Sequence, residues 1–550
     1  MKFLKRFSRH SDYAAFTATT SFVKPNVSTC KQEKDVHYNP WVDPRIIAVF
    51  NVTNGNVATK TSRYTSGFSE IEIDGVVQES LSTGYTLSIG EHTIKYTLVN
   101  QDNIPGYTFQ LCSAMTSVII PDGVQVINNY AFDNCQSISS ITFPSTLTNI
   151  NNGAFGYCYA LQSVEFVDGL ISIGSNAFGQ CTHLETVRIS KTVTQIEKSS
   201  FNTTSLKFIS VEEGNTVYDS RNNCNAIIET ASNSVFKGSA NIAIPASVTS
   251  IGENAFFGNY ALTSVTITDS ITSIGKSAFN DCRYLTSLTI PNSVTMIDQS
   301  SFAYCYGLSS VQIGSGLTEI SKQAFQYCSG LTSIVLPNTI ETIGESSFKN
   351  CFGLSSLTIG SGVRTIGVSA FTMCSGLTSI NIPDTVTTLS NSSFRQCSSA
   401  LTLTIGSGIT TIPDYCFFSC SSLTSVTLSN GIQSLGNNCF GSCSKIPTIV
   451  IPDSVSTIGS SAFTYCSGLT SITLGSGLTS ISNAAFRYDS ALTSITSLAL
   501  VAPTVTSSTF IFINTGGTLY TPSGSSGYNT WMQNANYYLG SYNWTQATIT

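Results

Sequence analysis

Residues 285–307 read LTSLTIPNSVTMIDQSSFAYCYG, and variants of this pattern recur along most of the chain. The first six residues follow L-x-x-L-x-I, so Leu288 and Ile290 face one side of a strand and Thr289 faces the other. Pro291 then ends that strand with a turn. A single unit cannot bury its apolar residues alone, whereas stacked neighbours can. The stretch therefore predicts one coil of a repeat protein.

Phe302 of this unit belongs to a series with a fixed period of 23 residues. Phenylalanine marks 16 units in one frame: Phe109, Phe132, Phe155, Phe178, Phe201, Phe256, Phe279, Phe302, Phe325, Phe348, Phe371, Phe394, Phe417, Phe440, Phe463 and Phe486. A period between 20 and 29 residues is typical of leucine-rich repeats. We therefore predict a mainly β leucine-rich repeat solenoid of about 16 units of 23 residues, with successive strands paired in parallel.

Cysteine stands three residues after this phenylalanine in 13 of the 16 units. The exceptions are Thr204, Asn259 and Asp489. Side chains stacked in parallel hold their Cβ atoms too far apart for a good disulfide, and a catalytic thiol would be unique instead of repeated. We interpret the cysteines as small, buried packing residues.

Composition argues against several classes of function. The chain has 550 residues, a formal charge of −6 and only four histidines, none at metal-ligand spacing. We expect no catalytic, cofactor or metal site, and no nucleic-acid binding because a basic surface is missing. No apolar run approaches the length of a membrane span, so no membrane insertion is expected. The N-terminus also lacks the apolar core of a signal peptide, which predicts no export by the usual route.

The repeat frame divides the chain into four parts. We predict an attachment segment (1–43), a small β-sandwich-like domain (44–100), the solenoid (101–497) and a C-terminal cap (498–550). A 32-residue variant unit lies near 206–238. Within it, two apolar pairs flank the stretch Ala231-Ser232-Asn233, which predicts a hairpin that bulges from one coil.

Aromatic residues crowd together near the C-terminus: Tyr520, Tyr528, Trp531, Tyr537, Tyr538, Tyr542 and Trp544. Such rings could form a platform on which sugars stack. They could instead belong to the cap that covers the last coil, and the cap is favoured because every solenoid needs one.

The units read L-T-S-h-T-I-P-x-S-V-T-x-I-x-x-x-A-F-x-x-C, with h apolar, and SRNNCNAIIET stands at 220–230. These sequences resemble the BspA-type leucine-rich repeat family from about residue 104 to residue 499. The resemblance implies a curved right-handed solenoid with its β-sheet on the concave side. It also implies a surface or secreted protein that adheres to host proteins or cells and is not an enzyme.

Residues 10–40 carry a second resemblance, through KPNVS at 24–28 and VHYNP at 36–40. They resemble an N-terminal module of predicted virion proteins, of the tail or fibre type, from phages and prophages of gut Bacteroides-type bacteria. This implies a virion protein that is assembled in the host cytoplasm and contacts other virion proteins through residues 1–43.

Together these features favour a non-enzymatic binding protein: a phage tail or fibre-type component that presents the solenoid to a host-surface protein or glycan. The alternative is a cellular BspA-like adhesin on the surface of a gut bacterium. Whether the protein forms a homo-oligomer stays an open question. A hydrolase is disfavoured because the outward strand positions carry few acids.

The candidate binding face consists of outward positions on the predicted strands: Thr266, Thr289, Gln312, Thr358, Asn381, Thr404, Thr427 and Thr473. Their hydroxyl and amide groups can hydrogen-bond sugars or peptide backbones. Threonine also suits any exposed strand, so the sequence leaves both interpretations open.

Overall fold

A computed structural model describes residues 43–55 and 58–549 of the chain. The predicted attachment segment lies almost entirely outside these residues, so it stays a prediction. None of the helices in the described part is long and apolar enough to cross a membrane.

Six strands precede the repeats: β1 (Ile46–Val52), β2 (Ala58–Lys60), β3 (Phe68–Ile73), β4 (Val76–Val77), β5 (Gly84–Thr86) and β6 (Gly90–Leu98). Strand β6 lies between β1 and β3 in an antiparallel sheet, and β2 pairs only with β5. Strand β1 also pairs with Met115–Ile119, which pairs in parallel with Ser140–Thr142 of the next coil. The N-terminal sheet therefore continues into the solenoid and covers its first edge, which would otherwise be free to pair with other chains.

The solenoid has two strand ladders, and most coils contribute one short strand to each. Pairing within the ladders is parallel except in the variant unit, where Ala226–Glu229 pairs antiparallel with both Tyr218–Asp219 and Ser234–Gly238. The long ladder contains Met115–Ile119, Ser140–Thr142, Ser163–Glu165, Thr186–Ile189, Phe208–Val211, Ser287–Ile290, Ser310–Ile313, Ser333–Val335, Ser356–Thr358, Ser379–Ile382, Thr402–Ile405, Ser425–Thr427, Thr448–Val450, Ser471–Leu474, Ser494–Ser497, Thr518–Thr521 and Thr545–Thr548.

The short ladder contains Asn103–Ile104, Val126–Ile127, Asn149–Ile150, Ser172–Ile173, Gln195–Ile196, Tyr218–Asp219, Ala226–Glu229, Ser234–Gly238, Ser250–Ile251, Ser273–Ile274, Met296–Ile297, Glu319–Ile320, Thr342–Ile343, Thr365–Ile366, Thr388–Leu389, Thr411–Ile412, Ser434–Leu435, Thr457–Ile458 and Ser480–Ile481. Two 3₁₀ turns, Arg221–Asn223 and Leu539–Tyr542, complete the elements. The coils number about 19, which confirms the predicted mainly β repeat solenoid.

The phenylalanine series forms a continuous stack through the core on each side of the variant unit. Successive ring centroids lie 4.6 to 5.9 Å apart, and their planes deviate by no more than 16°. The stack extends one coil beyond the predicted series to Phe510, against which Trp531 packs at 5.4 Å. The C-terminal region therefore adds further coils to the same core.

The cysteines of the repeat are buried and unpaired in the described chain, which confirms their interpretation as packing residues. They also form hydrogen bonds that the sequence did not indicate. The Cys328 thiol donates to the carbonyl oxygen of Phe302 in the preceding coil at 3.2 Å, and 11 other repeat cysteines make the same bond. Burial raises the pKa of Cys181 and Cys282 to about 12, so these thiols keep the proton that they donate.

Asp489 replaces the cysteine in one of the last coils. Its side chain is fully buried, and its Oδ1 accepts a hydrogen bond from the backbone N–H of Cys466 at 2.8 Å. Burial raises the pKa of this carboxyl well above its usual value. The folded chain therefore favours the protonated acid, and the contribution of Asp489 to stability decreases as the pH rises from about 4 through the folded-state pKa.

We expect Asp489→Asn to raise the melting temperature at pH 7, by an amount equivalent to about 1–3 kcal/mol, because a neutral amide needs no buried proton. The gain should vanish near pH 3, where the native acid is protonated in both states. Circular dichroism melts from pH 3 to 8 measure it. Asp453→Asn is the control: hydrogen bonds from Ser476 lower the pKa of exposed Asp453, so its pH trend should be opposite. A gain for Asp489→Asn that is independent of pH would contradict this prediction.

The variant unit contains the predicted hairpin, formed by Ala226–Glu229 and Ser234–Gly238 in antiparallel pairing. The prediction that it bulges from one coil was wrong, because Ser234–Gly238 pairs in parallel with Ser250–Ile251. The hairpin is thus part of the short ladder. Its backbone hydrogen bonds are satisfied within the sheet, so the insertion adds strands to the solenoid instead of a projecting loop.

Coils of two kinds alternate between residues 291 and 408. One kind has a Pro-Asn or Pro-Asp turn, as at Asn338, and the next has Gly-Ser-Gly, as at 360–362. The Asn338 side-chain oxygen accepts a hydrogen bond from the backbone N–H of Ser361 at 2.9 Å. A side chain at Gly362 would overlap the carbonyl oxygen of Asn338. The close approach of the two turns therefore requires glycine.

Candidate functional site

The structure places seven of the eight predicted binding residues in one row along the long ladder, which we call the strand face. The prediction that Thr266 lies on a strand was wrong, because the described chain has no strand between Ser250–Ile251 and Ser273–Ile274. Seven of the eight side chains are exposed, and Thr473 is half-buried. Thr289 stands opposite Gln312, and Thr404 lies between Asn381 and Thr427 in register. Residues of the row that stand on adjacent strands are therefore separated by one strand spacing, about 4.8 Å.

A second row runs beside the first, two residues earlier on each strand. It consists of Ser287, Ser310, Ser333, Ser356, Ser379, Thr402 and Ser425, all exposed. No hydroxyl of either row donates to or accepts from another protein group in the described chain. Both rows are therefore available to hydrogen-bond a ligand.

A third row of hydroxyls in the L-T-S motif has a structural role instead. The Thr286 hydroxyl donates to the carbonyl oxygen of Thr263 in the preceding coil at 3.2 Å, and Thr378 does the same to Ser355. These bonds hold successive coils together. The structure thus separates the structural hydroxyls from the free ones, which sequence alone could not do.

The strand face is free of charge from Thr289 to Thr473, and only two outward positions in the first row, Val335 and Val450, are apolar. The earlier coils differ, since Glu165 and Arg188 stand in register on their strands and form an ion pair of 3.0 Å. Glycoside hydrolysis needs paired carboxylates, and this neutral stretch offers none. It presents hydroxyl and amide groups across about nine coils.

Three rings of the C-terminal aromatic group belong to the core. Trp531, Tyr528 and Trp544 are buried, and the two indole N–H groups donate to the carbonyl oxygens of Pro503 (2.9 Å) and Asn514 (2.8 Å). These side chains cover the end of the phenylalanine stack. They are not accessible to a sugar.

Metal binding has no support in the part of the chain that the structure describes. No group of three or more His, Cys, Asp or Glu side chains there is arranged to hold an ion.

The stacked coils, their parallel ladders and their regular apolar core define a leucine-rich repeat solenoid. A family model described as the BspA type leucine rich repeat region (6 copies) matches residues 102–227, 221–332, 318–446 and 399–511. These matches span well over half of the chain, so the protein belongs to this family.

Several solved structures are similar to this chain. A leucine-rich repeat protein from Bacteroides ovatus ATCC 8483 is 24% identical over 71% of this chain and 92% of its own, with a TM-score of 0.49. Another from Eubacterium ventriosum ATCC 27560 is 25% identical over 54% of this chain and 80% of its own, with a TM-score of 0.47. A leucine-rich cell surface protein from Faecalibacterium prausnitzii A2-165 is 26% identical over 60% and 83%, with a TM-score of 0.36. No curated protein matches the chain.

Proposed function

We propose that this protein is a non-enzymatic binding protein whose strand face adheres to a protein or glycan on a host cell surface. The uncharged rows of free hydroxyl and amide groups on the long ladder carry this proposal. Such groups bind sugar hydroxyls or peptide backbones without the desolvation cost of buried charges. An extended solenoid surface also allows many weak contacts to act together.

The proposed carrier of this surface is a phage particle, as a tail or fibre-type component attached to other virion proteins through residues 1–43. The sequence of residues 10–40 supports this assignment. A cellular adhesin on the bacterial surface is the second candidate, and membership of the BspA-type family favours it.

Mass spectrometry of density-purified phage particles and washed cell envelopes from one culture separates these two carriers. Peptides enriched in the particles would support the virion component. Peptides confined to the envelopes would overturn it in favour of the cellular adhesin. Either result leaves the binding role of the strand face to be tested by the variants described at the end of the Discussion.

A further inference from the structure

A cavity of about 320 Å³ lies outside the strand face, beside the turns that follow the ladder phenylalanines in the N-terminal half. Its lining is mixed, with aromatic rings, amides and one carboxyl group. The residues that matter for its chemistry are Tyr130, Asp133, Tyr157, Gln180, Asn202 and Phe257. Its volume falls at the lower end of the range for small-ligand sites.

Two glycines open the cavity. Gly156 and Gly179 directly follow ladder phenylalanines, a position that carries larger side chains in most other coils, such as Gln326. A Cβ atom on Gly156 would lie 2.9 Å from Asp133 Oδ1. Asp133 stands at the equivalent position one coil before Gly156, and Asn202 stands there one coil after Gly179. The opening from Asp133 to Asn202 therefore spans three strand spacings, about 14 Å.

Tyrosine rings form the exposed rim. Tyr130 and Tyr157 are 38% and 44% exposed, respectively, and both line the cavity. Tyr130 is held in place because it stacks on Tyr107 with a centroid distance of 5.1 Å. A fixed ring with an apolar face and a polar tip is suited to the C–H face of a sugar.

Hydrogen bonds from neighbouring residues hold the polar side chains of the cavity in place. These bonds leave part of the hydrogen-bonding capacity of each polar side chain unused. Asp133 is about nine-tenths buried, and its Oδ2 accepts a hydrogen bond from Gln110 Nε2 at 2.7 Å. Its Oδ1 points toward Gly156 and has no donor among the described residues. This oxygen is an acceptor for a ligand hydroxyl.

Asn202 supplies the complementary donor. Its Oδ1 accepts a hydrogen bond from Nζ of the buried Lys237 at 3.4 Å, so its amide N–H groups are free to donate. Lys237 also donates to the carbonyl oxygen of Asn254 at 3.1 Å, which fixes the amine between the coils. No lysine or arginine lines the cavity itself, which disfavours an anionic ligand.

We propose that this cavity binds a neutral hexopyranose unit of a glycan, stacked on the tyrosine rim and hydrogen-bonded to Asp133 and Asn202. The assignment does not depend on the proposed function of the strand face. The cavity and the strand face have no residue in common, so either can bind without the other.

Saturation-transfer NMR and calorimetry with the methyl glycosides of glucose, galactose and mannose test the proposal on the full-length protein. We expect at least one glycoside to bind with a dissociation constant in the millimolar range or below. Gly179→Gln should weaken it at least about tenfold by filling the cavity. Gly441→Gln is the matched control, a buried glycine at the same repeat position in a distant coil, and should change binding by less than about twofold.

Asp133→Asn provides a second variant that leaves the shape of the cavity intact, and we expect it to weaken binding at least about tenfold. The absence of binding for all three glycosides would overturn the proposal, as would equal binding by Gly179→Gln and the native chain. Glutamate substitutions on the strand face should leave glycoside binding unchanged. If these variants lose host-cell binding but keep glycoside binding, the result bears on the proposed function of the strand face and not on the cavity.

Discussion

Phe325→Ala is expected to lower the free energy of unfolding by about 3–5 kcal/mol, because it removes one ring from the centre of the core stack. Phe325 is fully buried between Phe302 and Phe348, with centroid distances of 5.3 and 5.4 Å and nearly parallel planes. The neighbouring rings are held by their own coils, so they cannot collapse to fill the cavity that remains.

Circular dichroism melts measure the overall loss, and hydrogen exchange locates it. Because each coil contacts only its neighbours, protection should decrease first in the coils around residue 325. Phe352→Ala is the control, since its ring is 41% exposed and should cost less than about 1 kcal/mol. Equal destabilisation by the two variants would contradict the account of the core.

Gly362→Ala is expected to destabilise the chain by about 3 kcal/mol, although it adds only one methyl group. The added carbon would overlap the carbonyl oxygen of Asn338 in the preceding coil. That oxygen belongs to the backbone of a packed turn, so relief requires the two coils to move apart. The hydrogen bond from Ser361 to Asn338 would lengthen as a result.

Thermal melts of Gly362→Ala and Thr339→Ala test this prediction as a pair. Thr339 occupies the same turn position one coil earlier, where its side chain is exposed and accommodated. Its truncation should change stability by less than about 0.5 kcal/mol. If Gly362→Ala melts at the same temperature as the native chain, the close approach of the two turns is not required for stability, and the prediction is contradicted.

The 23-residue phenylalanine period was sufficient to predict the solenoid, because a fixed period leaves only stacked coils as a way to bury Phe302 and its equivalents. The alternation of Leu288, Thr289 and Ile290 likewise predicted which side chains form the strand face. Both features depend on local spacing, which is visible in one unit.

Features that depend on contacts between coils were less predictable. The bond that 12 repeat cysteines donate to a phenylalanine carbonyl oxygen joins residues 26 positions apart, as in Cys328 and Phe302. The left-handed backbone at Tyr304 and Tyr327, with φ of 62° and 61°, carries no glycine signal because the packed coil enforces it. The hairpin was recognised, but its pairing with Ser250–Ile251 was not, since strand partners across an insertion are not encoded locally.

The cavity was also missed, although its signals are in the sequence. Gly156 and Gly179 stand out only when the position after each ladder phenylalanine is compared across coils. The burial of Lys237 beside Asn202 could not be foreseen, because lysine normally stays in water. In the fold, burial lowers the pKa of Lys237 to about 7.

Binding of labelled full-length protein to washed bacterial cells and, in parallel, to cultured epithelial cells tests the central claim most directly. The double variant Thr358→Glu and Thr404→Glu places two charges on the strand face. Thr318→Glu and Thr410→Glu together form the control, because these threonines are exposed off that face. We expect the native chain and the control to bind one cell type saturably, and the strand-face variant to bind at least about tenfold more weakly. Equal binding by all three proteins, or binding by none, would contradict adhesion through the strand face.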